Sequence, residues 1–208
     1  MARQPSLEDG AMIIRTRLND GTAICIRELR KNDERRLRDG FARLSSRSRY
    51  LRFFSGMREP TQPVVDALLD VDGHDHLAWG AIATEEAGEP AIGVVHAFRD
   101  EAEASAAEFS VAVIDEYHGR GLASILTAVL LLDCRQEGLE ALDVQVLSEN
   151  EAALKLTRLL GGKVTALDRG VEHLRIDVGA ALATLENQRD IPGMADVFRQ
   201  WEAQYAAR

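Results

Sequence analysis

The segment Phe109-Ser-Val-Ala-Val-Ile-Asp-Glu-Tyr-His-Gly-Arg-Gly-Leu-Ala-Ser124 decides the fold. It reads as a strand, then a short glycine-containing turn, then the first turn of a long helix. Gly119 and Gly121 allow the backbone to approach a ligand closely. The unpaired N–H groups that open the helix, together with its dipole, form a site for an anion such as a phosphate.

Downstream, the helix runs over Leu122–Glu137 and stops at Gly138, a favoured residue just past a helix end. A strand over Ala141–Leu147 follows, then a helix from Ser148 to Leu160, with Ser148 and Glu151 spaced as a capping box. Two strands, Lys163–Asp168 and Val171–Asp177, flank an Arg169-Gly170 turn. Upstream, Gly21–Glu28 alternates as a strand. Leu37, Phe41 and Leu44 recur at helical spacing after Asn32 or Asp33. Ser46–Phe54 and the Thr61-Gln-Pro63 opening give two more helices, and Leu77–Thr84, Ala91–Arg99 and Ala106–Ile114 give three successive strands. This order predicts an α/β fold, a mixed central sheet with helices on both faces. Residues 1–12 read as a flexible tail, 13–178 as the domain and 179–208 as a C-terminal helical extension. In that extension Met194, Val197, Phe198, Trp201 and Tyr205 form an apolar stripe, expected to dock on its own sheet or on a second subunit in a homodimer.

Three phosphate-binding patterns can be compared with the loop. No G-x-x-x-x-G-K-[ST] run exists. A dinucleotide fingerprint needs a third glycine where Ser124 stands and an acid late in the next strand, whereas Asp143 comes early. The third pattern fits. His118-x-x-Gly121-x-Ala123 resembles the pyrophosphate loop of the GNAT acetyltransferases, Q/R-x-x-G-x-G/A, with histidine at the first position. Asn150…Ala153…Leu156…Leu160-Gly161-Gly162 resembles that family's next helix, and the likeness covers about residues 22–177, including Ile26-Arg-Glu-Leu-Arg30. Ser48-Arg-Tyr-Leu-Arg-Phe-Phe54 with Ala107-Glu-Phe-Ser-Val111 is similar to the branch of bacterial protein lysine acetyltransferases.

The resemblance implies the GNAT acyl-CoA N-acyltransferase fold and acetyl-CoA as co-substrate. Its pyrophosphate would lie on His118, Gly119, Arg120, Gly121, Leu122, Ala123 and Ser124. Its pantetheine arm would lie along Val111, Ala112 and Val113 and be seated by Asn150. The chemistry sets its own demands. An amine of pKa near 10.4 is almost wholly protonated at pH 7, so a base must deprotonate it, and the thioester oxygen needs an N–H donor. Glu108 shares a strand face with Ser110 and Ala112 near the loop, and it matches the general base of the similar lysine acetyltransferases. Thr157 stands where many relatives carry a tyrosine that protonates the leaving thiolate, and Tyr117 and Ser148 are weak substitutes. Neither cysteine lies at the site, so direct transfer from a ternary complex is expected. A protein lysine is the favoured acceptor. The alternatives are a small amine, or a non-catalytic acetyl-CoA-binding sensor.

Composition agrees. The 208 residues are 46% hydrophobic and 28% charged, with a net charge of −9, which argues against nucleic-acid binding. The polar N-terminus and the short apolar run Leu122–Leu132 suit a cytoplasmic protein with no membrane association. Cys25 and Cys134 are expected to be free thiols. Asp72-Gly-His-Asp-His76 lacks a partner cluster, so no metal site is expected. Arg47, Arg49 and Arg52 are open to either solvent or an acidic ligand. A structural hydrogen bond is expected of His96.

Overall fold

The structure, a computed structural model, describes residues 12–54, 57–188 and 190–206. The tail reading falls mainly on residues 1–11, outside the described residues, while Met12 is buried.

The described residues form eight strands and seven helices: β1 (Ile13–Arg17), β2 (Ala23–Glu28), α1 (Glu34–Arg43), α2 (Ser46–Phe53), α3 (Gln62–Leu69), β3 (His76–Ala83), β4 (Ala91–Arg99), β5 (Ala106–Val113), α4 (Leu122–Gln136), β6 (Ala141–Leu147), α5 (Glu151–Leu159), β7 (Lys163–Asp168), β8 (Val171–Asp177), α6 (Val178–Glu186) and α7 (Met194–Tyr205). One mixed sheet of order β1-β2-β3-β4-β5-β6-β8-β7 results. Every neighbouring pair is antiparallel except β5 and β6.

Helix α4 is apolar nearly all round, as a helix buried on every side must be. Leu126, Leu130 and Leu131 are fully buried. It packs on β3, β4 and β5 with one side and on α6 and α7 with the other. On the opposite face of the sheet α1 covers β4 and α2 covers β5. Because both faces are covered, β3 is buried along nearly its whole length, and a continuous apolar run fits it better than alternation.

Two elements were not anticipated. β1 adds an edge strand before the first one expected, and α6 opens the C-terminal extension. The extension docks on its own chain. Trp201 of α7 meets Trp79 of β3 with ring centroids 5.6 Å apart, and Met194, Val197 and Trp201 are buried. Tyr205, the last residue of the stripe, is exposed. Along the free edge of β1, the side chain of Gln204 accepts from Ile13 N at 3.0 Å and donates to Ile13 O at 2.7 Å. Gln200 does the same for Arg15, at 3.0 and 2.7 Å. Spaced one helical turn apart, the two amides stand in for a missing strand.

The capping-box reading is corrected. Asn150, not Ser148, caps α5, its Oδ1 accepting from Ala153 N at 3.2 Å. Ser148 N is committed instead to Gly170 O at 2.8 Å, which holds Ser148 in the β6–β8 connection. Asp33 sits at the N-terminus of α1 but does not cap it with its side chain. Its carboxylate takes two hydrogen bonds from Arg27, at 2.7 and 2.6 Å.

Candidate functional site

The site begins where β5 and β6 stop pairing. Their parallel ladder covers only Ala106↔Ala141, Ala107↔Leu142 and Glu108↔Asp143, although β5 continues to Val113 and β6 to Leu147. β5 keeps its partner on the other side, since β4 pairs with it from Ala107 to Val113. Beyond Glu108 the β6-facing backbone groups of β5 therefore line an opening, with N–H donors and carbonyls available to something other than protein.

Alternation places Glu108, Ser110 and Ala112 on one face of β5. Phe109 is buried on the other face, and Val111 and Val113 pack against the main core. Glu108 is exposed. It lines a cleft of about 310 Å³ together with Phe98, Asp100, Asp143, Gln145 and His173. The polar alternation of Asp143 and Gln145 in β6 was the sequence signal for this wall. Asp100, Glu108 and Asp143 border the cleft with Arg99, and Asp143 pairs with Arg175 at 3.2 Å, so Asp100 and Glu108 supply the negative potential of its mouth. Of the other acids of that loop, Glu103 is held by Arg175 at 2.5 Å.

The loop lies at the far end of β5. Gly119 and Gly121 have φ of +73° and +86°, a region where residues with a Cβ are strained. A Cβ on Gly119 would meet nothing within 4 Å, whereas one on Gly121 would meet Asn19 Oδ1 at 3.0 Å and Ile191 Cγ2 at 3.2 Å. Gly121 is the N-cap of α4 and offers no side-chain cap. The first-turn amides of Leu122, Ala123 and Ser124 thus lie, without a side-chain cap, at the positive end of a helix of 15 residues. His118 is drawn inward, its Nε2 donating to Val113 O at 2.8 Å. Arg120 pairs with Asp20 at 2.6 Å and lies over the Tyr117 ring at 4.8 Å. Both side chains are thus engaged within the protein and shape the loop.

The candidate proton donors are turned away. Thr157 is 1% exposed, and its hydroxyl donates to the carbonyls of Ala153 and Leu154, each at 3.1 Å. Tyr117 donates its hydroxyl to Glu86. Ser148 is exposed at the far side of β6.

The three arginines divide. Arg47 pairs at the surface with Glu149 at 3.2 Å, Arg49 folds back on Leu44 O, and Arg52 reaches Ser110 Oγ at 2.5 Å. His96 makes the structural hydrogen bond expected of it, to His76 at 3.0 Å. Asp72 gathers the backbone N–H groups of His74, Asp75 and His76 on one oxygen. Cys25 and Cys134 are free. No helix among the described residues is long and apolar enough to cross a membrane.

The model of the Acetyltransferase (GNAT) family matches residues 45–161, over half of the chain. Acetyltransferase PA5475 of Pseudomonas aeruginosa is 30% identical over 141 residues, 68% of this chain and 73% of that protein. The chain belongs to the GNAT acetyltransferase family. The GNAT model spans α2, the cleft, the loop and α5. Acetyltransferase Pat of Mycolicibacterium smegmatis is 32% identical over 165 residues, 79% of this chain and 49% of that protein. The chain thus spans about half the length of this GNAT relative. The GNAT domain of S. lividans PAT superposes with a TM-score of 0.74 at 24% identity, over 83% of this chain and 99% of that one. That likeness shows the shared GNAT fold.

Proposed function

We propose that the protein is an acetyl-CoA-dependent N-acetyltransferase of the cytoplasm that moves acetyl directly to a primary amine, a lysine on a protein surface. The observation that carries this reading is the placement of Glu108. It is an exposed carboxylate at the last rung before β5 and β6 part, inside an acidic cleft.

The residues present suit acetyl-CoA. The uncapped amides of Leu122, Ala123 and Ser124, with the open backbone at Gly119, offer a cradle for the pyrophosphate. The edge of Val111, Ala112 and Val113 that β6 leaves open suits the pantetheine amides, apart from Val113 O, which is taken by His118. Asn150 Oδ1 is occupied by its cap, which leaves its Nδ2 as the group to seat the arm.

In the reaction, Glu108 takes a proton from the ammonium. The freed amine attacks the thioester carbonyl, and a main-chain N–H of Val111–Val113 faces the oxyanion. The N–C bond forms as the C–S bond breaks, and the nitrogen sheds its second proton to water. Thr157 is spoken for by helix carbonyls, so the thiolate, of ordinary pKa near 8.5, leaves without a tyrosine and takes its proton from water. The cleft's negative mouth favours a cationic acceptor over a neutral or acidic one. Residues 13–178 carry this chemistry, and 179–208 secure the edge of the sheet. The family match and the similarity to a protein named Pat support the reading.

The test is thiol release with acetyl-CoA and a lysine-bearing peptide, followed by mass spectrometry of a host lysate incubated with both. Acetylation of lysines in folded proteins is expected. Acetylation of polyamines alone would replace the protein acceptor, and CoA binding without any transfer would make the chain a sensor.

A further inference from the structure

Arg52 is a cation fixed in place without an ion pair among the described residues. Its Nη2 is pinned to Ser110 Oγ at 2.5 Å, and its guanidinium lies over the Phe53 ring at 4.9 Å. Among the described residues, no carboxylate lies within ion-pair distance of it. Burial pushes its pKa down to about 10, against the pull of the Glu108 charge, so it remains a cation at neutral pH.

Its neighbour His96 adds no positive charge. Burial first, and then the charge of Arg52, hold His96 well below its ordinary pKa. Its tautomer follows from its surroundings. The carbonyl of Asp70 can only accept, so His76 Nδ1 carries the hydrogen across 3.1 Å. His76 Nε2 then accepts from His96 Nδ1 at 3.0 Å, and His96 Nε2 is left as a buried lone pair without a partner.

Arg52 and His96 line a cavity of about 100 Å³ between the sheet and α1 and α2. Its walls are otherwise mainly apolar, with Leu37, Phe41, Val94 and Ala112 among them. The other charged wall groups satisfy one another, Asp33 taking Arg27 at 2.6 Å and Arg36 at 3.6 Å. A space of this size holds a fragment of a few carbons. A desolvated cation at its wall is costly alone and strongly stabilised by a carboxylate, to which guanidinium donates charge-assisted hydrogen bonds. The lone pair of His96 repels such an anion and confines it to the Arg52 side.

We infer that this cavity binds a short chain ending in a carboxylate, anchored by Arg52. The inference rests on the acetyl-CoA reading above and deepens it. Ala112 and Ile114, on and just past the end of β5, also line the cavity, so the carrier it fits is the acyl group of a dicarboxylic acid thioester. An acceptor amine bearing a carboxylate offers the same chemistry from the other substrate.

The experiment compares succinyl-CoA with butyryl-CoA, which differ only in carboxylate against methyl, by calorimetry on the full chain, with acetyl-CoA as reference. A second arm compares β-alanine with propylamine as acceptors of acetyl. Succinyl-CoA should bind at least about tenfold more tightly than butyryl-CoA, the usual scale for a buried hydrogen bond to a charged group. Arg52→Met should abolish the preference and Arg52→Lys weaken it. The ratio of two ligands within one variant remains readable even if stability changes. The same Arg52-dependent preference for β-alanine alone would place the carboxylate on the acceptor. Acetyl-CoA binding with no preference in either pair overturns the inference and leaves the acetyltransferase reading standing. Failure of acetyl-CoA to bind at all removes both.

Discussion

Glu108 and Asp143 are the last partners of the β5–β6 ladder, facing each other across strands that part immediately afterwards. The base proposed for the reaction therefore sits at the root of the opening and is held by paired backbone on both sides, at Phe98 and Asp143. Glu108→Gln keeps the shape and removes the proton acceptor. Turnover should fall by about 10²–10⁴ at neutral pH, with acetyl-CoA affinity nearly unchanged. The deficit should shrink as pH rises and the amine sheds its own proton. Undiminished thiol release by this variant would move the base elsewhere.

The two loop glycines should respond differently. At Gly119 the Cβ direction is open, so Gly119→Glu carries only the strain of its positive φ, places a carboxylate in the proposed anion cradle and should weaken acetyl-CoA binding at least about tenfold while the fold survives. At Gly121 the same direction is filled by Asn19 and Ile191, so even Gly121→Ala should lower Tm. Wild-type protein should show a rise in Tm with acetyl-CoA and none with NADH. Unchanged affinity in a folded Gly119→Glu variant would remove the cradle.

Gln200 and Gln204 close the β1 edge. Gln→Ala at either should cost about 1 kcal/mol in urea unfolding. The double variant exposes a row of unpaired main-chain groups and should associate as concentration rises, a liability of open edges. Light scattering that stays flat in the double variant would show the edge to be protected otherwise. Trp201→Ala should cost about 3–5 kcal/mol.

Stability should fall on acidification because of the histidine pair. Burial lowers His96 well below its ordinary 6.5 and also lowers His76, against the opposing pull of Asp70 and Asp72. Below about pH 6.5 the unfolded chain binds protons that the folded chain refuses, so stability drops by up to about 1.4 kcal/mol per pH unit through His96, with His76 adding to the slope only until it protonates in the folded chain. Above that pH the pair contributes no slope. Asp33 acts in a lower window. Burial raises its pKa, but the Arg27 hydrogen bonds outweigh this and hold it below 3.8, so its contribution is lost only near and below that pH. Urea midpoints from pH 7.5 to 5 should show the histidine slope, and His96→Phe should flatten it.

The sheet was readable where local pattern and tertiary environment agree. β6 and β8 follow from alternation bounded by glycine turns, β7 from its place before the Arg169-Gly170 turn although it is exposed throughout, and α4 from the apolar run Leu122–Leu132 in a helix that stops at Gly138. β1 was hidden because its alternation, Ile14 and Thr16 buried against exposed Arg15 and Arg17, is short and follows a polar stretch. Ser148 and Glu151 have capping-box spacing, but the pairing of Ser148 with Gly170 decides where α5 begins, and that contact spans 22 positions. Glu108, the glycines and Asn150 could be singled out because local motifs mark them. The Arg52–Ser110 contact, the His76–His96 pair and the glutamine edge could not, since each joins residues that only the fold makes neighbours.

The space a Cβ at Gly121 would need is filled by Asn19 of the β1–β2 turn and Ile191 of the segment before α7, and Asn19 N donates to Arg120 O at 3.1 Å. The Gly119–Gly121 loop thus packs between the β1–β2 turn and the segment before α7. Whatever pulls the last helix from β1 also slackens the loop, and a ligand that stiffens the loop must tighten the grip of that helix by the same free energy, since such linkage is reciprocal. Proteolysis of the C-terminus should slow when acetyl-CoA is present, at a distance from any atom the ligand touches.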